Sequence, residues 1–287
     1  MSTCTSLRSL LNSTTLPQNE AKILLAYILE KYYQLPRSAL LSRDEMTLSA
    51  PAFDEWQDLE TRRCSGEPIA YLVRKRGFHN IELYVAPGVL IPRPETEILV
   101  EIALREIIKS SGQVKVLDLG TGSGAIALAL AHSSQNALLT ATDQSLEALE
   151  IAERKAQELG LADRVQFLQG NWFAALNRSE AKNHFDLILS NPPYIAAADR
   201  HLTEGDLRFE PSSALTDGAN GLSCLENIIS QADFYLKPDG LIALEHGFDQ
   251  ATAVMILMKM AQFQDIQVHQ DLAGHPRATS GRKPRPE

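Results

Sequence analysis

The tetrapeptide Asn191-Pro192-Pro193-Tyr194 stands directly after the apolar run Phe185–Ser190. Its residue types suit the handling of a planar NH2 group. Prolines fix the backbone, so the carbonyl of Pro192 points in a set direction and Pro193 keeps the turn stiff. The side-chain oxygen of Asn191 is a second acceptor. Two acceptors at a fixed separation match the two hydrogens of one NH2. Tyr194 can stack on the flat π-system that carries this nitrogen. An amide nitrogen is a poor nucleophile, because its lone pair is delocalised into the carbonyl. Accepting both of its hydrogens raises its electron density and aims it. The plain alternative is a rigid proline turn at a strand end.

A second cluster is Asp118-Leu119-Gly120-Thr121-Gly122-Ser123-Gly124, between an apolar strand and an apolar helix. Glycines there let the backbone approach a ligand, and the helix start offers free N–H groups. Asp143 ends the next strand, 23 residues after Gly120. A carboxylate at that place can accept both hydroxyls of a ribose. The spacing therefore fits an adenosine-containing cofactor held by Gly120, Thr121, Gly122, Ser123, Gly124 and Asp143. Gly120, Gly122 and Ala125 also satisfy the dinucleotide pattern G-x-G-x-x-A, and a tight turn with no ligand has the same look. Asp118 tips the balance. A carboxylate at the strand end repels a pyrophosphate but can receive a methionine ammonium, or order water beside it. That favours S-adenosylmethionine over NAD.

These loops need a scaffold. From residue 114 onward, strands and helices alternate. Val114–Leu119, Ala137–Thr142, Val165–Leu168, Phe185–Ser190 and Leu241–Glu245 read as strands. Gly124–His132, Ser145–Leu159, Asn220–Leu236 and Phe248–Gln262 read as helices. The alternation predicts a parallel sheet covered on both faces. Ligands then gather at the carboxyl ends of the strands, which puts the tetrapeptide beside the glycine loop. Before this region the pattern is helical. Pro17–Tyr33 places Leu24, Leu25, Ile28, Leu29 and Tyr32 on one face, and Pro51–Arg63 does the same with Phe53, Trp56 and Leu59. Ile69–Val73 and Ile81–Val85 read as strands around a turn at Gly77–Asn80, and Pro87, Gly88, Pro92 and Pro94 mark a junction. The basic, proline-bearing tail from Arg277 to Glu287 is expected to fray at its end.

Composition limits the function. The chain has 287 residues, room for about two domains. Hydrophobic residues at 44% and charged residues at 22% exclude a wholly disordered chain. No apolar run, Ile23–Leu29 included, approaches the length needed to cross a bilayer, and the Ser/Thr-rich start lacks the order of a secretory signal. Cys4, Cys64 and Cys224 are odd in number and far apart, which fits neither a disulfide framework nor a zinc cluster. A cytoplasmic protein without a metal, and without a membrane partner, is expected. Residues 1–91 carry ten basic and ten acidic side chains, so the net charge of −9 sits in residues 92–287. Phosphate backbones are bound largely through Lys and Arg, so no direct nucleic-acid binding is expected.

Taken together, the motifs resemble the release-factor glutamine methyltransferases, the HemK-type enzymes of the protein-(glutamine-N(5)) methyltransferase family. The resemblance runs over nearly the whole chain. It includes Gly66-Glu67-Pro68-Ile69-Ala70-Tyr71, Ile91-Pro92-Arg93-Pro94-Glu95-Thr96-Glu97, the glycine loop from Val116 and Asn191–Tyr194. It continues through Glu210-Pro211, Asp217-Gly218 and Asp271-Leu272-Ala273-Gly274-His275-Pro276-Arg277. It implies an α/β fold: a seven-stranded Rossmann-like class I methyltransferase domain preceded by a small helical bundle and a β-hairpin linker. The implied domains are residues 1–70, helical and substrate-recognising; 71–92, the hairpin; and 93–287, the S-adenosylmethionine-dependent enzyme. The implied substrate is the glutamine of the Gly-Gly-Gln motif in bacterial class 1 peptide chain release factors, methylated on its side-chain amide nitrogen. By position, Asn191, Pro192 and Tyr194 are catalytic and hold the glutamine together with Pro193. Gly120–Gly124, Asp143, Trp172 beside the adenine ring, and Asn191 hold the cofactor. Two departures stand out: Arg74, where the family usually has Gly, and Asn171, where it often has Asp.

Other residues admit two roles each. Arg93 can line a substrate channel or be a solvated linker charge. Thr96 and Glu97 are expected to cap the helix Glu97–Ile108. Glu210 can meet the substrate loop or pair with Arg208. Glu245 and His246 sit at a strand end near the presumed cleft, and His275 and Arg277 are expected to stabilise the last hairpin. Three rivals remain at this point. An adenine-amine methyltransferase presents the same NH2 to the same loop but must also hold a flipped base. A non-catalytic adenosine sensor has no use for Asn191–Tyr194. A nicotinamide oxidoreductase is disfavoured by Asp118.

Overall fold

The computed structural model describes residues 5–285, so Cys4 and the last residues of the tail lie outside it. The chain forms two compact units, divided between Lys75 and Arg76. The first unit is helical, with α1 (Leu7–Ser13), α2 (Gln18–Tyr33), α3 (Ala39–Ser42), α4 (Ala50–Cys64) and α5 (Ile69–Val73). Leu24, Leu25, Ile28 and Leu29 of α2 are fully buried and meet Leu7, Trp56 and Leu59. Their i, i+1, i+4, i+5 spacing is the apolar stripe expected of a helix packed on one side. Tyr32, expected on this face, is 37% exposed instead. Arg63 of α4 grips Glu20 of α2 through two hydrogen bonds of 2.7 and 2.9 Å. Gln34 in the left-handed region then turns the chain out of α2, with Pro36 two residues on.

Ile69–Val73 is a helix, not the expected strand. A short apolar run does not reveal its period, and Pro68 just ahead of it favours a helix start. Arg74 ends this turn at φ 56°, in the left-handed region. Glycine enters that region without strain, which explains why a family with Gly here gains from it.

The second unit opens one residue into a two-stranded hairpin, β1 (Lys75–Phe78) and β2 (Ile81–Tyr84), turning at His79–Asn80. A helix, α6 (Glu97–Ile107), leads into the main sheet. That sheet contains β3 (Val114–Leu119), β4 (Ala137–Asp143), β5 (Val165–Gln169), β6 (Phe185–Ser190), β7 (Leu236–Glu245), β8 (Gln264–Gln270) and β9 (Pro276–Arg282). The spatial order is β5-β4-β3-β6-β7-β9-β8. The five strands from β5 to β7 are parallel, and β9 joins them antiparallel, paired in turn with β8. Successive residues face opposite sides, so Val116 packs with α6 and α7 (Ala125–Ser133) while Leu117 packs on the other face. That second face is covered by α10 (Ser223–Tyr235) and α11 (Ala251–Met260), which follow α8 (Leu146–Glu158) and the short α9 (Ser212–Leu215).

The end of the tail, expected to fray, lies outside the described residues. Residues 277–282 ahead of it form β9, with Ala278 and Thr279 fully buried and Arg277 bound to Asp271 at 3.0 Å. Small residues let this strand lie between β7 and β8 under helical cover, and their low hydrophobicity hid it from a pattern search. Among the described residues, no helix is long and apolar enough to cross a membrane.

Replacing Arg74 with Gly relieves the left-handed strain of about 1–2 kcal/mol against a backbone-entropy loss of about half that. Arg74→Gly is therefore expected to stabilise the helical unit by roughly 0.5–1 kcal/mol, read as a higher urea midpoint. A lower midpoint would count against the strain.

Candidate active site

The sheet reverses direction of growth at β3 and β6, which places a crevice at their carboxyl ends. Leu119 lies opposite Ser190 in the register, so the glycine loop and the tetrapeptide leave adjacent strands at one level. The buried Ser190 hydroxyl donates to the Leu119 carbonyl at 2.6 Å and ties the two exits together. A cavity of about 590 Å³ opens above them. Gly120, Thr121, Gly122, Ser123, Asp143, Trp172, Asn191 and Pro193 all lie on its wall. Gly124, Pro192 and Tyr194 are not on that wall.

The loop is held by its own backbone. The N–H groups of Gly120 and Thr121 both donate to the Thr142 carbonyl at 2.9 Å. Gly120, Gly122 and Gly124 all have φ between 56° and 82°. A Cβ on Gly120 would lie 3.0 Å from the Trp172 ring, and one on Gly124 would press into Leu128 and Ala152. Gly124 thus serves helix packing. Gly122 has open space on its Cβ side, and its N–H donates to Asp143 Oδ2 at 2.8 Å. Asp143 Oδ1 accepts from the Ser145 N–H at 2.9 Å. Burial raises the Asp143 pKa against these backbone bonds. Each oxygen keeps a further lone pair for a hydroxyl at the wall. Trp172 itself sits at φ 50°, an outlier for a bulky aromatic that tends to mark functional sites. Asn171 beside it also lines the cavity.

Asp118 does not meet the cavity as its place in the motif suggested. It is fully buried, and its Oδ2 accepts from the Thr121 hydroxyl at 2.6 Å. It holds the loop from behind. Burial pushes its pKa up to about 7.

The tetrapeptide is anchored by residues from distant parts of the chain. Asn191 Nδ2 donates to Thr96 Oγ1 at 3.0 Å. Thr96 therefore makes no side-chain cap on α6, and Glu97 takes up the His79 N–H at 2.9 Å instead. Tyr194 donates from its hydroxyl to Glu245 Oε1 at 3.1 Å. Gln250 Nε2 donates to the carbonyls of Tyr194 and Gly221, at 3.0 and 3.2 Å. His246 is buried, which lowers its pKa, and its ring nitrogens lie on Thr279 and Gly247. Glu210 pairs with Arg93, and its Oε2 accepts from the Ile91 N–H at 2.9 Å. Arg93 is thus both ion-paired and on the cavity wall. Thr96, Gln250 and the Arg93–Glu210 pair carry no local signal, because the contact of Thr96 with Asn191, of Gln250 with Tyr194 and of Arg93 with Glu210 each spans more than 50 residues. Among the described residues no group of His, Cys, Asp and Glu is placed to hold a metal ion.

Asp118 binds a proton more tightly in the fold than at its ordinary value of 3.8. Its contribution to stability is full below that value and is lost as the pH rises through about 7. Asp118→Asn should therefore flatten the fall in melting temperature over this range. An unchanged slope would show that another group controls it.

Comparisons with known proteins agree with this geometry. A family model described as a methyltransferase domain matches residues 110–274, and one described as a PrmC N-terminal domain matches residues 4–73. A release factor glutamine methyltransferase of Burkholderia pseudomallei is 44% identical over 96% of this chain and 95% of its own length. One of Bordetella pertussis is 44% identical over 96% and 99%. In fold, the chain is similar to a T. thermophilus 16S rRNA methyltransferase solved with AdoMet and guanosine, at a TM-score of 0.53 and 19% identity over 73% of this chain and 49% of that one. The cavity at the switch point of a seven-stranded sheet, and relatives matched almost end to end, lead to one conclusion: this chain belongs to the release factor glutamine methyltransferase family.

Proposed function

We propose that the protein transfers a methyl group from S-adenosylmethionine to the side-chain amide nitrogen, N(5), of the glutamine in the Gly-Gly-Gln motif of class 1 peptide chain release factors. The observation that carries this reading is the orientation of Asn191. One N–H of its Nδ2 goes to Thr96, which leaves Oδ1 free to accept, and Asn191 lines the same cavity as the glycine loop. The wall suits an adenosine cofactor: Gly122 leaves room, Asp143 offers carboxylate oxygens for a ribose, and Trp172 offers a ring for adenine. Bound there, S-adenosylmethionine supplies an electrophilic methyl carbon on a sulfonium.

The chain's own residues do the rest. Asn191 Oδ1 and the carbonyl of Pro192, a residue off the wall but between the wall residues Asn191 and Pro193, accept the two amide hydrogens of the glutamine, which restores electron density to the nitrogen and turns its lone pair toward the methyl carbon. Pro193 stiffens the turn, and Tyr194 supports it from behind through Glu245. Positioning and electrostatics contribute most of the acceleration. The helical residues 1–70 grip the release factor away from the reacting glutamine, since one side chain offers little specificity. Residues 71–92 link them to the enzyme domain, residues 93–287. A cytoplasmic setting, a metal-free reaction and no direct contact with nucleic acid complete the proposal.

Incubation of the enzyme and S-adenosylmethionine with a recombinant class 1 release factor should add one methyl to its Gly-Gly-Gln peptide, as seen by mass spectrometry. Label appearing in adenine of nucleic acid instead would replace this reading. Asn191→Ala should keep cofactor affinity and lose turnover by about a hundredfold or more. Turnover at the wild-type rate in that variant would remove the mechanism.

A further inference from the structure

We propose that Thr96 and Glu245 are positioning residues that fix which end of the Asn191 amide faces the substrate. The proposal rests on the reading of Asn191 given under Proposed function. Three chain segments meet here. Ser190 lies opposite Leu244 in the β6–β7 register, so Asn191 and Glu245 sit at one level on neighbouring strands. Thr96, from the segment before α6, is 4% exposed and Glu245 is 1% exposed. The residues of the tetrapeptide reach back to both: Asn191 Nδ2 to Thr96 Oγ1 at 3.0 Å, and the Tyr194 hydroxyl to Glu245 Oε1 at 3.1 Å.

The direction of these bonds decides the chemistry. A threonine hydroxyl has one proton and two lone pairs. In accepting from Asn191, Thr96 keeps its proton for another acceptor. An ionised Glu245 can only accept. Among the described residues its Oε2 is buried without a hydrogen-bond partner, so it has capacity for that proton, and a proton from Thr96 would favour its charged form. The order Asn191 to Thr96 to Glu245 leaves Asn191 Oδ1 pointing away from Thr96. A protonated Glu245, or a glutamine in its place, brings a donor to Thr96. The Thr96 proton then turns to Asn191 Oδ1, the amide reverses, and its NH2 confronts the NH2 of the substrate.

Burial pushes the Glu245 pKa up to about 7. Tyr194 and Thr96 act against that rise, as does Arg277 from β9, while Glu95 adds to it. His246, next in the chain, is turned to Thr279 and Gly247. Wild-type turnover should therefore climb as the pH rises through this region.

The test compares four variants on a recombinant class 1 release factor, with cofactor affinity and melting temperature measured for each. Thr96→Val should lower kcat about tenfold to a hundredfold with cofactor affinity unchanged, and Thr96→Ser should restore it to within about threefold. Glu245→Gln should fold at least as well as the wild type, because a buried carboxylate is removed. It should lower kcat and lose the rise with pH. Wild-type kcat in both Thr96→Val and Glu245→Gln would overturn the proposal, as would failure of Thr96→Ser to restore a folded protein's rate. If Thr96→Val does not fold, the pH profile of Glu245→Gln decides alone. Asn191→Ala separates the levels. If it is inactive while the other variants are normal, only this relay is wrong. If it is fully active, the reading of the site itself fails.

Discussion

The site depends on the register of three neighbouring parallel strands. Leu119 of β3 stands opposite Ser190 of β6, and Ser190 stands opposite Leu244 of β7. The glycine loop, the tetrapeptide and Glu245 therefore share one level before any side chain is considered. A slip of one residue would move each exit by about 3.3 Å and turn its side chains to the other face. Alternate residues of these strands fill two different cores, which penalises such a slip on both sides at once. The Ser190 bond to the Leu119 carbonyl adds a buried polar lock, whose loss leaves an unpaired acceptor at a cost of about 1–3 kcal/mol. Main-chain bonding thus brings together groups that short loops could not hold in place by themselves.

Above that frame, close approach is obtained by omission of atoms. Gly120 has no side chain where the Trp172 ring comes within 3.0 Å of the Cβ position, and Trp172 accepts a left-handed backbone to put its ring there. Gly221 likewise has no room for a Cβ, because the Tyr194 carbonyl and Gln250 occupy that space. Gln250 can bridge Tyr194 and Gly221 only because the two backbones run so close. At Gly221 even alanine is too large, and at Gly120 a Cβ fits only if the Trp172 ring gives way.

Much of this was legible in the sequence, for identifiable reasons. Glycines spaced by two with an acidic strand end beyond them, and an Asn-Pro-Pro-Tyr turn after an apolar strand, are local patterns, and local patterns survive in one dimension. Their placement at a switch point followed from the alternation of strands and helices. The partners of these motifs were not legible. Thr96 looks like a helix cap, and only its contact with Asn191 shows otherwise. Glu210 has an arginine two residues before it in the chain, yet it pairs with Arg93. Ile69–Val73 contains too few residues to declare a period, and β9 is built of residues too small to register as core.

Two carboxyls, Asp118 and Glu245, lie fully buried just behind the cavity wall, and each costs stability near neutral pH. A neutral residue of similar shape would be cheaper, so the value of an acid lies in what it excludes. An ionised carboxyl cannot donate. It draws the proton of Thr121 backward in one case and that of Tyr194 in the other. Thr96 does the same to one proton of Asn191. Thr121 and Asn191, which both lie on the cavity wall, thus each turn a proton inward and keep lone pairs free. Acceptors suit a cationic sulfonium and repel a pyrophosphate. The direction of hydrogen bonds behind the wall thus favours a methyltransferase over dinucleotide chemistry on a similar sheet.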